Sequence, residues 1–133
     1  MERTLAIIKP DATKKRIVGK IVTRVEEEGF TIVRMRLAHL TKDEAKAFYH
    51  VHKEKGFFDR LSELMSSGPV ELMVLEADEA IKRWRETMGA TDPAKAKPGT
   101  LRHTYGFGIE RNAVHGSDAR ETAEWEIDHF FKK

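Results

Sequence analysis

The sequence predicts an α+β fold: a ferredoxin-like α/β sandwich with a mostly antiparallel four-stranded sheet covered by helices. Three observations carry this prediction. Short apolar runs alternate with segments of helical spacing in the order β-α-β-α-α-β-α-β-α. That order holds two β-α-β-like halves in one small chain. No repeat, linker or low-complexity tract interrupts it, so residues 1–133 are expected to form a single domain with one buried core.

The first strand is expected over residues 4–9, where Leu5, Ala6, Ile7 and Ile8 lead to Lys9 and then to Pro10, which lacks an N–H to continue a ladder. Ile17, Ile21 and Val25 recur at helical spacing, and Gly29 supplies a stop after the acidic run Glu26, Glu27, Glu28. Residues 30–40 read as a second strand, with Phe30, Ile32, Met35 and Leu37 interleaved with Thr31, Arg34 and Arg36. Thr41 opens a helix, because Thr41 and Glu44 have the spacing of a capping box. A further helix is expected from about Phe57 to Met65, ended by Ser67, Gly68 and Pro69. Residues 70–75 form the next strand and residues 78–87 the next helix. Gly89, Pro93, Pro98 and Gly99 make residues 89–100 a loop. A short strand at residues 113–115 and a helix over residues 118–131 complete the chain.

Composition narrows the function classes. Hydrophobic residues make up 40% and charged residues 35%, a globular balance. The absence of cysteine excludes a disulfide framework, a thiolate metal site and a catalytic thiol, and it suits a reducing cytoplasm. The N-terminus runs straight into a strand-like segment, not a signal-peptide core, and no apolar stretch approaches bilayer length. With 24 basic and 22 acidic side chains, the formal charge of +2 is too balanced for a general nucleic-acid binder. A small anion held by a few placed cations fits equally well.

His115 is the first candidate for chemistry. It lies just before Ser117 and Asp118, both good N-cap types, at the entrance to the last predicted helix. A helix entrance favours phosphate, and a neutral imidazole is nucleophilic near pH 7. On that helix Ala119, Ala123, Ile127 and Phe130 mark the buried stripe, and Glu126 falls in its middle. A carboxylate there needs a partner, and His115 or Ser117 is within reach of the pattern. The residues alone leave a second reading open, in which His115 is a satisfied structural histidine and Glu126 reaches solvent.

The string Asn112-Ala113-Val114-His115-Gly116-Ser117-Asp118 resembles the active-site signature of nucleoside diphosphate kinases. Further matches fall in family order: Thr4 to Asp11, Phe57 and Phe58, Ser67 to Val70, Gly89 to Ala94, and Pro98 to Arg102. The resemblance covers nearly the whole chain, from Arg3 to Phe131.

The resemblance implies a phosphotransferase working in two halves. A nucleoside triphosphate, mainly ATP, gives its γ-phosphoryl to His115, and a nucleoside diphosphate then takes it, which maintains the triphosphate pools. Glu126 and Ser117 would orient the imidazole, and Tyr49 would lie near it. Lys9 and Asn112 would meet the ribose hydroxyls, Lys9 also lying near the transferred group. Arg85, Thr91 and Arg102 would hold phosphates; Phe57 would stack on the base with Leu61 and Ile109 beside it. Mg2+ would arrive on the nucleotide, since no clustered carboxylates form a protein cage. No Walker-type loop is present. The family also implies a homo-oligomer, a tetramer or hexamer built from dimers, without a membrane or specific nucleic-acid partner.

Taken singly, several of these residues have plainer readings: Arg85 as part of a solvated helix face, Arg102 as a surface cation, Phe57 or Tyr49 as core. Lys9 differs, because a lysine ending a buried strand is unusual. Departures from the family pattern are Gly56, Thr104 and Glu110, none in a catalytic role, and a chain that stops at Lys133, where many members continue into a segment that makes subunit contacts. The rival readings are a non-catalytic nucleotide-binding member and a nucleic-acid-binding regulator. The retained His115, Glu126, Lys9, Arg85 and Arg102 oppose the first. The lack of an aromatic-rich strand motif opposes the second.

Overall fold

The computed structural model describes residues 1–49 and 58–131. β1 (Glu2–Ile8) is followed by a single turn, α1 (Pro10–Thr13), and then by α2 (Val18–Glu27). β2 (Thr31–Ala38), α3 (Lys42–Phe48), α4 (Phe58–Met65) and β3 (Val70–Ala77) come next. α5 (Ala80–Met88), a 3-10 turn (Pro93–Lys95), α6 (Leu101–Tyr105), β4 (Val114–Gly116) and α7 (Arg120–Phe130) close the order. The sheet runs β2-β3-β1-β4, with every neighbouring pair antiparallel. The predicted sandwich is what forms.

β1 runs through the middle of the sheet, which explains its unbroken apolar run. Ala6 and Ile8 pack on one face with Ile21 and Val25 of α2, Trp84 and Met88 of α5, and Leu101 of α6. Leu5 and Ile7 pack on the other with Phe48 and Tyr49, Met65 of α4, and Ile127 and Phe130 of α7. Each fully buried Leu or Ile in this layer is worth roughly 1.5–3 kcal/mol relative to exposure. The capping box at Thr41 and Glu44 is present in both directions, at 3.1 and 2.8 Å. α5 lacks a side-chain cap of its own; Glu2, from the start of β1, accepts the Ile81 N–H at 2.9 Å instead.

Three expectations need correction. Met35 and Leu37 are 45% and 63% exposed, because β2 is an edge strand with incomplete helix cover. Their odd spacing from Ile32 is a bulge: the register with β3 shifts between Ile32 and Arg34. α1 and α6 were not expected; at four and five residues they are too short to show a helical period. The last helix begins at Arg120 behind Ala119, without a side-chain cap, so Ser117 and Asp118 are not its caps. Gly56, Phe57 and the expected start of α4 at Phe57 lie outside the described residues.

Candidate active site

β4 carries His115 beside the centre of the sheet. In the register with β1, His115 stands opposite Ile7, on the face occupied by α3, α4 and α7. Its ring meets Phe48 edge-on at 5.3 Å between centroids. On the other face the strand presses against α5: a Cβ on Gly116 would lie 2.5 Å from Trp84, and the Trp84 indole N–H donates to the His115 carbonyl at 3.1 Å. Glycine is required there by space, and Trp84 fixes the backbone that bears the imidazole.

Behind the imidazole runs a buried relay. The Leu5 N–H donates to Ser117 Oγ at 3.2 Å, the Ser117 hydroxyl donates to Glu126 Oε1 at 2.7 Å, and His115 Nε2 lies 3.1 Å from the same oxygen. Ser117 and Glu126 are almost wholly buried. An ionised carboxylate only accepts, so this geometry places the imidazole proton on Nε2 and leaves a lone pair on Nδ1. Tyr49 is buried close by; burial, then the Glu126 carboxylate, push its pKa up, so the phenol keeps its proton.

His115 opens onto a groove of about 1580 Å³ whose walls include Lys9, Tyr49, Leu61, Arg85, Thr91, Arg102, Ile109 and Asn112. Lys9 is 5% exposed and donates to Asn112 Oδ1 at 2.9 Å and to the Glu110 carbonyl at 3.0 Å. Burial lowers its pKa to about 8, with Arg102 adding to that and Asp11 and Glu110 opposing it. Asn112 in turn donates from Nδ2 to the Thr91 carbonyl at 3.1 Å. Arg102 leans across from α6, donating to the Gly89 carbonyl at 3.0 Å and the Val114 carbonyl at 2.9 Å. Burial, then Arg85, push its pKa down to about 10 while Asp118 opposes the shift, so it stays a cation at neutral pH. Its buried Nε has no hydrogen-bond partner among the described residues. Arg85 holds Asp118 at 2.7 Å; both are exposed. Leu61 and Ile109 line the same groove from α4 and the loop before β4, with Ile109 60% exposed.

The expected residues thus converge, with Ser117 and Glu126 behind the wall and Phe57 outside the described residues. Three contributors escaped the sequence reading. Trp84, inside the run Lys82 to Arg85, carries no local sign that it supports the strand bearing His115. Asp118 has the side chain of a helix cap but pairs with Arg85. Asp11 accepts the Ala113 N–H at 3.0 Å from 102 residues away, a contact with no local signal. The assembly offers one oriented imidazole, flanked by cations and open to an elongated anion. Among the described residues no group of three or more His, Cys, Asp or Glu is placed to hold a metal.

Comparison with known proteins agrees with this geometry. A family model described as "Nucleoside diphosphate kinase" matches residues 2–133. A protein of that name from Geobacter sulfurreducens is 55% identical over 133 residues, spanning 100% of this chain and 97% of the relative. Another from Geotalea daltonii is 56% identical over 131 residues, 98% of this chain and 96% of the relative. Among solved structures, the Aquifex aeolicus nucleoside diphosphate kinase superposes with a TM-score of 0.96 at 46% identity, covering 98% of this chain and 95% of that one. A halophilic nucleoside diphosphate kinase from Halobacterium salinarum, in complex with CDP, gives 0.95 at 40% identity, with 99% and 88% covered.

Proposed function

The chain belongs to the nucleoside diphosphate kinase family, and on that premise we propose how its residues divide the reaction. The activity is phosphotransfer from a nucleoside triphosphate to a nucleoside diphosphate through a phosphohistidine. His115 is the histidine. In the first half, Nδ1 attacks the γ-phosphorus, an N–P bond forms, and the bond to the β-phosphate oxygen breaks to release the diphosphate. In the second half, a terminal oxygen of the acceptor diphosphate attacks the same phosphorus and the N–P bond breaks.

The observation that carries this assignment is the shared Glu126 oxygen, 3.1 Å from His115 Nε2 and 2.7 Å from Ser117 Oγ. It fixes the proton on Nε2 and stabilises the positive charge the ring gains as phosphorus is bound. Lys9, Arg85, Arg102 and Thr91 hold the phosphates, where guanidinium forks match paired oxygens. Lys9 and Asn112 meet the ribose, and Leu61, Ile109 and Phe57 meet the base. Tyr49, buried with its proton kept, stands by the transferred group. CDP bound to the halophilic relative supports diphosphate binding here.

Mg2+ fits as a passenger on the nucleotide. The cations of the groove suit phosphate oxygens, and the described residues offer no acidic cluster to cage the metal. When bound it would neutralise charge on the nucleotide phosphates that Arg85, Thr91 and Arg102 hold.

Residues 1–133 act as one domain. It is a cytoplasmic homo-oligomer, a tetramer or hexamer built from dimers, with no membrane and no specific nucleic-acid partner. The exposed Met35 and Leu37, on a strand that is at the sheet edge among the described residues, support self-association. No helix among the described residues is long and apolar enough to cross a membrane. The deciding experiment is labelling with γ-labelled ATP. Acid-labile, base-stable label should appear on His115 and leave on addition of GDP. Label on the His115→Ala variant at the parent rate would overturn the assignment.

A further inference from the structure

Ala113, between Asn112 and β4, is fully buried with a φ of +74°. This left-handed region is unfavourable for any residue with a Cβ. The conformation is held from both sides. The Ala113 N–H donates to Asp11 Oδ2 at 3.0 Å, and its carbonyl accepts the Lys9 N–H at 2.9 Å. Asp11 belongs to α1, the turn that Pro10 starts directly after β1. The turn at Ala113 is therefore clamped to the end of the central strand.

The same carboxylate acts on Lys9. The charges that bear on this ammonium are Asp11 on α1, Arg102 on α6 and Glu110 in the loop before β4. Asp11 is the strongest of the three and favours the protonated form. Glu110 is already engaged by Arg60 of α4 at 2.9 Å.

We infer that Asp11 is a positioning residue for the transfer: its one carboxylate fixes the left-handed turn that delivers Asn112 and His115 to the groove, and sets a negative charge beside the Lys9 ammonium. The inference rests on the proposed roles of His115 and Lys9. It separates the two duties by chemistry. Asparagine at position 11 keeps an oxygen for the Ala113 N–H but loses the charge. Alanine loses both. Glycine at position 113 tolerates the positive φ without Asp11, yet leaves the charge missing.

The test is the second-order rate of labelling by γ-labelled MgATP between about pH 6.5 and about pH 10, a range that spans the Lys9 titration, with circular dichroism confirming the fold. The parent rate should fall as pH rises past about 8, where Lys9 loses its proton. In Asp11→Asn that alkaline limb should move down by about one pH unit. Asp11→Ala should also lose about tenfold at the acid end through misplaced reacting groups. The double variant Asp11→Ala with Ala113→Gly should regain most of that loss while its limb stays displaced. A folded Asp11→Asn variant with an unmoved limb overturns the inference, as does a double variant that recovers none of the loss. A parent protein unlabelled at His115 fails differently, by removing the underlying assignment.

Discussion

The two sides of the groove are built on opposite plans. Behind His115, Ser117 and Glu126 are nearly water-free and linked in one chain of hydrogen bonds anchored on the Leu5 backbone. Across the groove Arg85 is 52% exposed and spends its guanidinium on Asp118, itself 79% exposed. Arg102 is intermediate, held by two carbonyls with its Nε spare. The difference follows from what each side must do. A nucleophile reacts efficiently only when its orientation is settled before the substrate arrives. A phosphate ligand has to release its resident partners and re-form them on oxygens whose positions change between a triphosphate and a diphosphate.

The largest effect should come from breaking the inner side at its end. His115→Ala is expected to cut phosphotransfer by at least about 10⁴-fold, measured by steady-state transfer from ATP to GDP. The melting temperature should stay close to the parent's, because the imidazole is a terminus of the relay. Glu126→Ala breaks the relay in its middle. Transfer should fall by about 10²-fold, and denaturant titration should show a loss of about 1–3 kcal/mol as Ser117 is left without its acceptor. If Glu126→Ala keeps full activity, the inner side is packing alone.

The outer side should respond in binding more than in chemistry. Arg102→Lys is expected to raise KM about tenfold and to cost about 1 kcal/mol of stability, since a lysine cannot reproduce the guanidinium fork that serves both the Gly89 and Val114 carbonyls. Arg85→Lys should raise KM with a stability change below about 0.5 kcal/mol. Equal stability losses at the two positions would erase the distinction drawn between them. The smallest effect is expected from Asp118→Asn. It removes only an exposed ion pair, so stability should move by less than about 0.5 kcal/mol. KM for nucleotide should drop slightly, because phosphate no longer competes with a resident carboxylate for Arg85.

How much of this was legible depended on how local the cause is. The central strand β1 was readable because a strand buried on both faces is an unbroken apolar run. Glu126 was readable because helical geometry put a carboxylate on an apolar stripe, and it is buried as that argument requires. The capping box at Thr41 was readable from two residues three apart. Ser117 satisfies two local rules at once, cap of the last helix and partner for Glu126; its hydroxyl turns inward to Leu5 and Glu126, so the second holds and the first does not. Alternation marks β2 as a strand, as found, without saying that it lies at the edge, which is what leaves Met35 and Leu37 exposed.

By itself the sequence determined the order of the four strands and the longer helices, the buried run of β1, and a histidine and a carboxylate placed to meet. These follow from backbone periodicity and side-chain type, which act within a few residues. The tertiary structure alone decided most of the partners the polar residues find: Asp118 to Arg85, Trp84 beneath Gly116, Asp11 to the left-handed Ala113. A buried polar group must find a partner. Which partner it finds depends on what the sheet brings within about 3 Å, and most of those groups lie tens of residues away along the chain.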